Sequence, residues 1–178
     1  METIHHIKTG GTIGGCVPEY KEIETLAGIF PDMIDLDKFL AKSLKIYAEY
    51  QETTICHKDS RAIDDKDRSE ILHTITREHA KGIKKFMITH GTYTMPETGK
   101  YLIEHLPAEV LEDVQVIVTG SMFPWTVLGS DAPINLGAAL GVLMNTNDKR
   151  VVICMHGKLF DPRKVRKDTE NLIFTDAD

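Results

Sequence analysis

The sequence predicts an α/β fold, a three-layer α/β/α sandwich built on a mostly parallel sheet. Three features carry that expectation. Short apolar runs such as KFMIT (85–89), VQVIVTG (114–120) and RVVICMH (150–156) have the length and composition of buried strands. Segments of helical periodicity separate them, as βαβ units require. Several strand-like runs also give way to clusters of glycine and hydroxyl residues.

Taken in order, Ile4–Lys8 is a first strand, weakened by His5 and His6, that runs into Gly10-Gly11. In DMIDLDKFLAKS (32–43), Met33, Leu36 and Leu40 share one face, the pattern of an amphipathic helix. LKIYAEY (44–50) alternates apolar and polar residues like a half-buried strand, and TTICH (53–57) reads as another short one. Asp64, Asp65 and Asp67 load the first turn of a helix carrying Ile71, Leu72 and Ile75, with Gly82 as its stop. After KFMIT comes the helix TMPETGKYLIEHL (94–106), where Thr94-x-x-Glu97 fits a capping box and Pro96 falls in the tolerant first turn. VQVIVTG is the clearest strand. SDAPINLGAALGVLM (130–144) is a helix with an Ala/Gly-rich body suited to close packing, and the tail FTDAD is expected to fray. With no repeat, low-complexity tract or linker, residues 1–178 are expected to form one domain.

Composition narrows the function classes. A net charge of −6 argues against nucleic-acid binding, and the basic runs KGIKK and DPRKVRKD are flanked by acids, as solvated faces are. No apolar run reaches bilayer-spanning length, and the first residues lack a signal-peptide core, so no membrane role and a cytoplasmic location are expected. Cys16, Cys56 and Cys154 show neither zinc-ligand nor disulfide spacing, and no metal site is indicated.

Ligands of an open parallel sheet bind at the carboxyl ends of its strands. Four clusters fall there: TGGTIGG (9–15), KDSRAID (58–64), THGTYT (89–94) and TGSMFPW (119–125). TGGTIGG is not G-x-G-x-x-G, and Cys16 stands where a Walker loop needs Lys, so both nucleotide readings fail. Its glycines would let backbone N–H groups approach a developing oxyanion, with Thr12 as a nucleophile. Taken singly, each cluster is accounted for by a turn or a helix cap. His90 reads as a structural hydrogen-bonder rather than a base, and Trp125 as an apolar anchor.

Together the motifs say more. Thr-Gly-Gly-Thr-Ile, Asp-Ser, Thr-His-Gly-Thr-x-Thr-Met-x-Glu-Thr, Thr-Gly-x-Met-x-Pro, Ser-Asp-x-Pro-x-Asn-Leu and finally Val165-Arg166-Lys167 follow one another from Thr9 to Lys167. In that order and spacing the chain resembles the bacterial-type L-asparaginase family. It looks like a short, stand-alone form of the N-terminal domain, without the family's smaller C-terminal domain. The resemblance implies hydrolysis of the side-chain amide of asparagine or a related small amide, with no cofactor or metal, in a homo-oligomer. It implies Thr12 as nucleophile, Thr92 opposite it, Lys167 as the basic neighbour of Thr92, and Tyr20 as the nearest candidate for a nucleophile-orienting loop tyrosine. Substrate contacts are implied for Asp59, Ser60, Gly91, Thr92 and Tyr93.

One position departs from the pattern. The family places Asp between the paired threonines, where it pairs with the substrate α-ammonium, and this chain has Tyr93. A neutral phenol cannot replace a carboxylate as an ammonium partner. The departure leaves two expectations: an amidohydrolase of altered specificity, or a non-catalytic small-molecule-binding domain of the same fold.

Overall fold

In a computed structural model, residues 1–14, 46–125 and 127–177 are described. The helix expected at 32–43 lies outside them. Among the described residues, six strands form one sheet in the order β2-β1-β3-β4-β5-β6. They are β1 (Thr3–Gly10), β2 (Glu49–Lys58), β3 (Lys85–Thr89), β4 (Gln115–Thr119), β5 (Arg150–Met155) and β6 (Lys158–Phe160). All neighbours run parallel except β6, which pairs antiparallel with β5. Of the two short strands expected over 44–50 and 53–57, the second lies within β2, which takes in only residues 49–50 of the first, since residues 46–48 precede the strand. Strand β2 lies at the sheet edge, where an exposed backbone tolerates the polar residues that seemed to interrupt it.

Alternation along the strands divides the core in two. Ile7, Phe86, Ile88, Val116 and Ile153 face helices α1 (Asp65–His79) and α2 (Met95–His105), packing with Ile71, Ile75 and Leu102. After α2 a single turn, α3 (Ala108–Leu111), carries Val110 into the same cluster. Ile4, Met87, Ile117 and Val152 face the other way, onto Leu136, Leu140 and Leu143 of α4 (Ala132–Asn145). Helices therefore cover both faces, and the three-layer sandwich stands.

Helix α1 starts as its acids predict. Asp64 accepts from the Asp67 amide at 3.0 Å, and Asp67 accepts from the Asp64 amide at 3.1 Å. Lys58 at the end of β2 clamps Asp67 with bonds of 2.9 and 2.6 Å, fixing the turn between strand and helix. The capping box expected at Thr94 does not form, because the Thr94 hydroxyl instead donates to the Ser60 carbonyl at 2.6 Å. A tertiary bond between two loops has displaced a local cap.

The histidines of β1 do not weaken it, because both are inside the fold. His6 Nε2 lies 2.8 Å from Thr89 Oγ1, and its Nδ1 meets the Tyr50 hydroxyl. Burial, aided by the Lys8 charge, pushes His6 down to about 3, and burial pushes His90 down to about 4. Both rings are therefore neutral in the fold at neutral pH.

Strands β1 to β5 end at one edge of the sheet. The chain leaves β1 for β2 on one side, while β3 flanks β1 on the other, so the topological switch point lies between β1 and β3. There the loops stack through glycines. Gly11 has φ +73°, and a Cβ on it would lie 2.4 Å from Gly91 N and 2.5 Å from Gly91 Cα. A Cβ on Gly91 would reach Ser60 Cβ at 2.7 Å, and one on Gly120 would strike the His90 carbonyl oxygen at 2.2 Å. Four loops are thus pressed into direct contact. Asp131 and Asn135 of the α4 start hold the loop after β4, accepting from the Met122 and Phe123 amides and donating to the Gly120 carbonyl.

Beyond β6 the chain makes a hairpin of β7 (Val165–Asp168) and β8 (Ile173–Asp176), paired antiparallel with Lys167 opposite Phe174. Residues 174–176, expected to fray, are held in this hairpin because Phe174 is buried beside Phe160, ring centroids 6.3 Å apart. Gly99 of α2 lets Pro162 approach, since a Cβ there would lie 2.6 Å from Pro162 Cβ. That contact seats the segment leading into β7 against the sandwich.

Two outcomes follow for stability. Gly11→Ala meets both an unfavourable φ and fixed backbone, so it should cost well over 1 kcal/mol in urea denaturation; a cost within about 0.5 kcal/mol of zero would contradict the loop stacking. His6 and His90 have folded pKa values depressed below the unfolded value of about 6.5, so the unfolded chain takes up protons first. Their contribution is complete above pH 6.5 and is lost as pH falls toward 4, and further toward 3 for His6. Each contributes a slope of up to about 1.4 kcal/mol per pH unit in that window. His90→Gln should remove one such slope; a pH profile of stability unchanged by it would count against the buried neutral ring.

Candidate active site

The glycine contacts decide which side chains meet at the switch point. Gly11 lies against Gly91, so the residues that follow them, Thr12 and Thr92, are carried to the same junction. Thr12 opens a single 3-10 turn, Thr12–Gly14, and is half-buried. Thr92 is buried, 4% exposed. Ser60, which opens the 3-10 turn after β2, is 1% exposed, and its Oγ accepts from the Tyr93 amide at 3.1 Å and the Thr94 amide at 3.4 Å. Those two bonds use the oxygen as acceptor and leave its hydroxyl proton to donate. Gly91 is the contact that allows this, because any side chain there would displace Ser60.

His90 is fully buried among the same loops. Its Nδ1 is 2.8 Å from the Gly91 carbonyl and its Nε2 2.9 Å from Thr98 Oγ1. A carbonyl oxygen only accepts, so Nδ1 carries the proton and Nε2 accepts from Thr98. Both nitrogens are spent on holding the loop.

Lys167 reaches this junction from β7. Strand alternation turns Val165 and Lys167 inward and Arg166 outward, which singles out one cation from the run RKVRK. Its Nζ donates to Thr92 Oγ1 at 2.7 Å. Burial lowers the Lys167 pKa, the Arg61 charge lowers it further, and Asp59 works in the opposite direction. Nζ also sits 3.7 Å from the centroid of the Tyr93 ring, whose face favours the cation.

Tyr93 is 48% exposed and has a second cation over it, with Arg61 Cζ 4.9 Å from the ring centroid. Arg61 was not singled out from the sequence, where it is one basic residue in a loop. Asp59 holds it: Oδ1 accepts from the Arg61 amide at 2.9 Å and from Nε at 2.8 Å, and Oδ2 from Nη2 at 3.3 Å. The Arg61 bonds hold the Asp59 carboxyl below its ordinary range. Asp59 therefore acts on Arg61 and caps its turn.

Of the residues singled out in the sequence, Thr12, Asp59, Ser60, Gly91, Thr92, Tyr93 and Lys167 thus stand on loops or strands that meet at this edge. Tyr20 lies outside the described residues. Among the described residues, no group of three or more His, Cys, Asp or Glu side chains could hold a metal ion, and no helix is long and apolar enough to cross a membrane.

Comparison with known proteins places this arrangement. Residues 3–173 match the asparaginase N-terminal domain family. Bacillus subtilis L-asparaginase 2 is 28% identical over 183 residues, covering 94% of this chain and 44% of the relative. Escherichia coli L-asparaginase 1 is 27% identical over 175 residues, covering 93% of this chain and 47% of the relative. The crystal structure of a probable cytoplasmic L-asparaginase from Campylobacter jejuni superposes with a TM-score of 0.74 at 28% identity, over 99% of this chain and 53% of that one. The chain spans about half the length of these proteins. With the match running through the sheet, the loops at its carboxyl edge and the β7 strand, the chain belongs to the asparaginase family, in the part that forms its N-terminal domain.

Proposed function

We propose that the chain is an amidohydrolase that releases ammonia from a small linear amide, L-asparagine or a relative of it, through an acyl-enzyme on Thr12. The observation that carries this reading is the 2.7 Å bond between Lys167 Nζ and Thr92 Oγ1 at the switch point of the sheet. A lysine whose pKa is lowered by burial and by a neighbouring guanidinium can spend part of its time neutral, and only the neutral amine accepts a proton. Family membership and the asparaginase structural neighbour support hydrolysis of an amide C–N bond.

In the reaction, Thr12 Oγ bonds to the amide carbon while its proton passes by way of Thr92 to Lys167. The tetrahedral intermediate collapses with cleavage of the C–N bond, and the leaving nitrogen takes the proton back from Lys167 and departs as ammonia. Water then adds to the Thr12 ester with its proton going to Lys167. Cleavage of the C–O bond, with return of that proton, restores the Thr12 hydroxyl and frees the acid. Thr92 contributes by holding the lysine and the transferring proton on one line.

A second reading, a binding domain without turnover, is favoured by one observation. The Tyr93 ring covers Lys167 at 3.7 Å and stabilises its cationic, non-basic form. Ammonia release over a panel of amides separates the two. The enzyme reading predicts release that Thr12→Ala abolishes and that Lys167→Arg, permanently charged, cuts by about 10²- to 10⁴-fold. It also predicts that kcat/KM rises with pH through a lysine ionisation lying below the ordinary value of 10.5. Release by Thr12→Ala at the wild-type rate would end the threonine-nucleophile reading, and saturable binding without release from any amide would establish the binder.

A further inference from the structure

The charges around Tyr93 bear on which amide the site takes. The ring lies between Lys167 Nζ at 3.7 Å and Arg61 Cζ at 4.9 Å, at the partly open side of the junction. Among the described residues, Asp59 is the acidic side chain that acts on Lys167, and both of its carboxylate oxygens are bonded to Arg61. Of the described residues, a substrate ammonium entering here would meet two cationic side chains and a carboxylate already committed to one of them. A substrate carboxylate would meet the reverse: the guanidinium, the lysine, and the hydroxyl proton that Ser60 has left to donate. Arg61 keeps its charge at any working pH.

We propose that the site selects amides that carry a free carboxylate and no α-ammonium group, and that Tyr93 and Arg61 set this preference. The proposal rests on the amidohydrolase reading for its chemistry, but the charge preference is a property of the site and is testable without turnover. Tyr93 acts by giving both cations a common aromatic face where a carboxylate side chain would neutralise one of them. Arg61, fixed by the fork of Asp59, supplies the charge that a carboxylate meets.

Succinate and L-aspartate differ only in the α-ammonium and its proton balance, and calorimetric titration of the whole chain with each at about pH 7.5, where carboxylates are ionised, is the direct test. Succinate is expected to bind at least tenfold more tightly, a ratio equivalent to about 1.4 kcal/mol. Tyr93→Asp should reverse the order, and Arg61→Gln should weaken succinate about tenfold while leaving aspartate within a few-fold. Equal or tighter binding of aspartate by the wild type, no measurable binding of succinate, or a ratio unmoved by both variants would overturn the proposal. The wild-type comparison stands even where a variant fails to fold. Succinate preference with no ammonia released from any amide would refute hydrolysis alone, whereas efficient asparagine turnover with aspartate preferred would refute the charge selection alone.

Discussion

Loop presses on loop at the carboxyl edge of the sheet, and it does so because Gly11, Gly91 and Gly120 have no Cβ. At Gly11 the next loop's amide nitrogen lies where a side chain would begin, 2.4 Å from an ideal Cβ. This contact is what turns four strand-end loops into one junction. It brings together the loops that hold Thr12 and Thr92, presses Gly91 onto Ser60, and sets the His90 carbonyl under Gly120. The polar groups then lock the geometry: Ser60 takes two amides, Thr94 gives its hydroxyl to Ser60, and His90 spans Gly91 and Thr98. Without the close approach, the bonds between loops lack the reach to form.

A second constraint comes from the far end of the chain. Lys167 can meet Thr92 only because the β7–β8 hairpin is seated on the sandwich by buried Val165 and Phe174 and by Pro162 against Gly99. The hairpin sets both the position of the amine and its desolvation. Its basicity is then a balance, in which burial and Arg61 lower the pKa while Asp59 and the Tyr93 face favour the cation. Tyr93, between Thr92 and Thr94, thus sets Lys167 against a neutral aromatic face.

Much of this was legible in the sequence because it depends on local pattern. The parallel strands, the helices that separate them and the four polar clusters follow from periodicity, and α1 begins at the acids that mark it. Features set by tertiary contact were not legible. The polar stretch of β2 looked like a break because edge exposure is invisible in a one-dimensional pattern. Thr94 matched a cap motif, yet a loop from another strand took its hydroxyl. The tail looked frayed because Phe174 gives no sign of the aromatic partner, Phe160, that it meets. Arg61 passed unnoticed for the same reason, since only the fold brings it over Tyr93. Asp131 and Asn135 stood in a recognised motif, but their work of tying down the loop after β4 needed the structure.

The most direct measurement is mass spectrometry of the protein quenched in acid during turnover of a slow amide. A threonine nucleophile predicts a covalent adduct whose added mass equals the product acid minus water, located on the peptide that contains Thr12 and absent from Thr12→Ala. Steady ammonia release with no adduct under conditions that trap esters, or an adduct located on Thr92 or any other residue, would contradict the account.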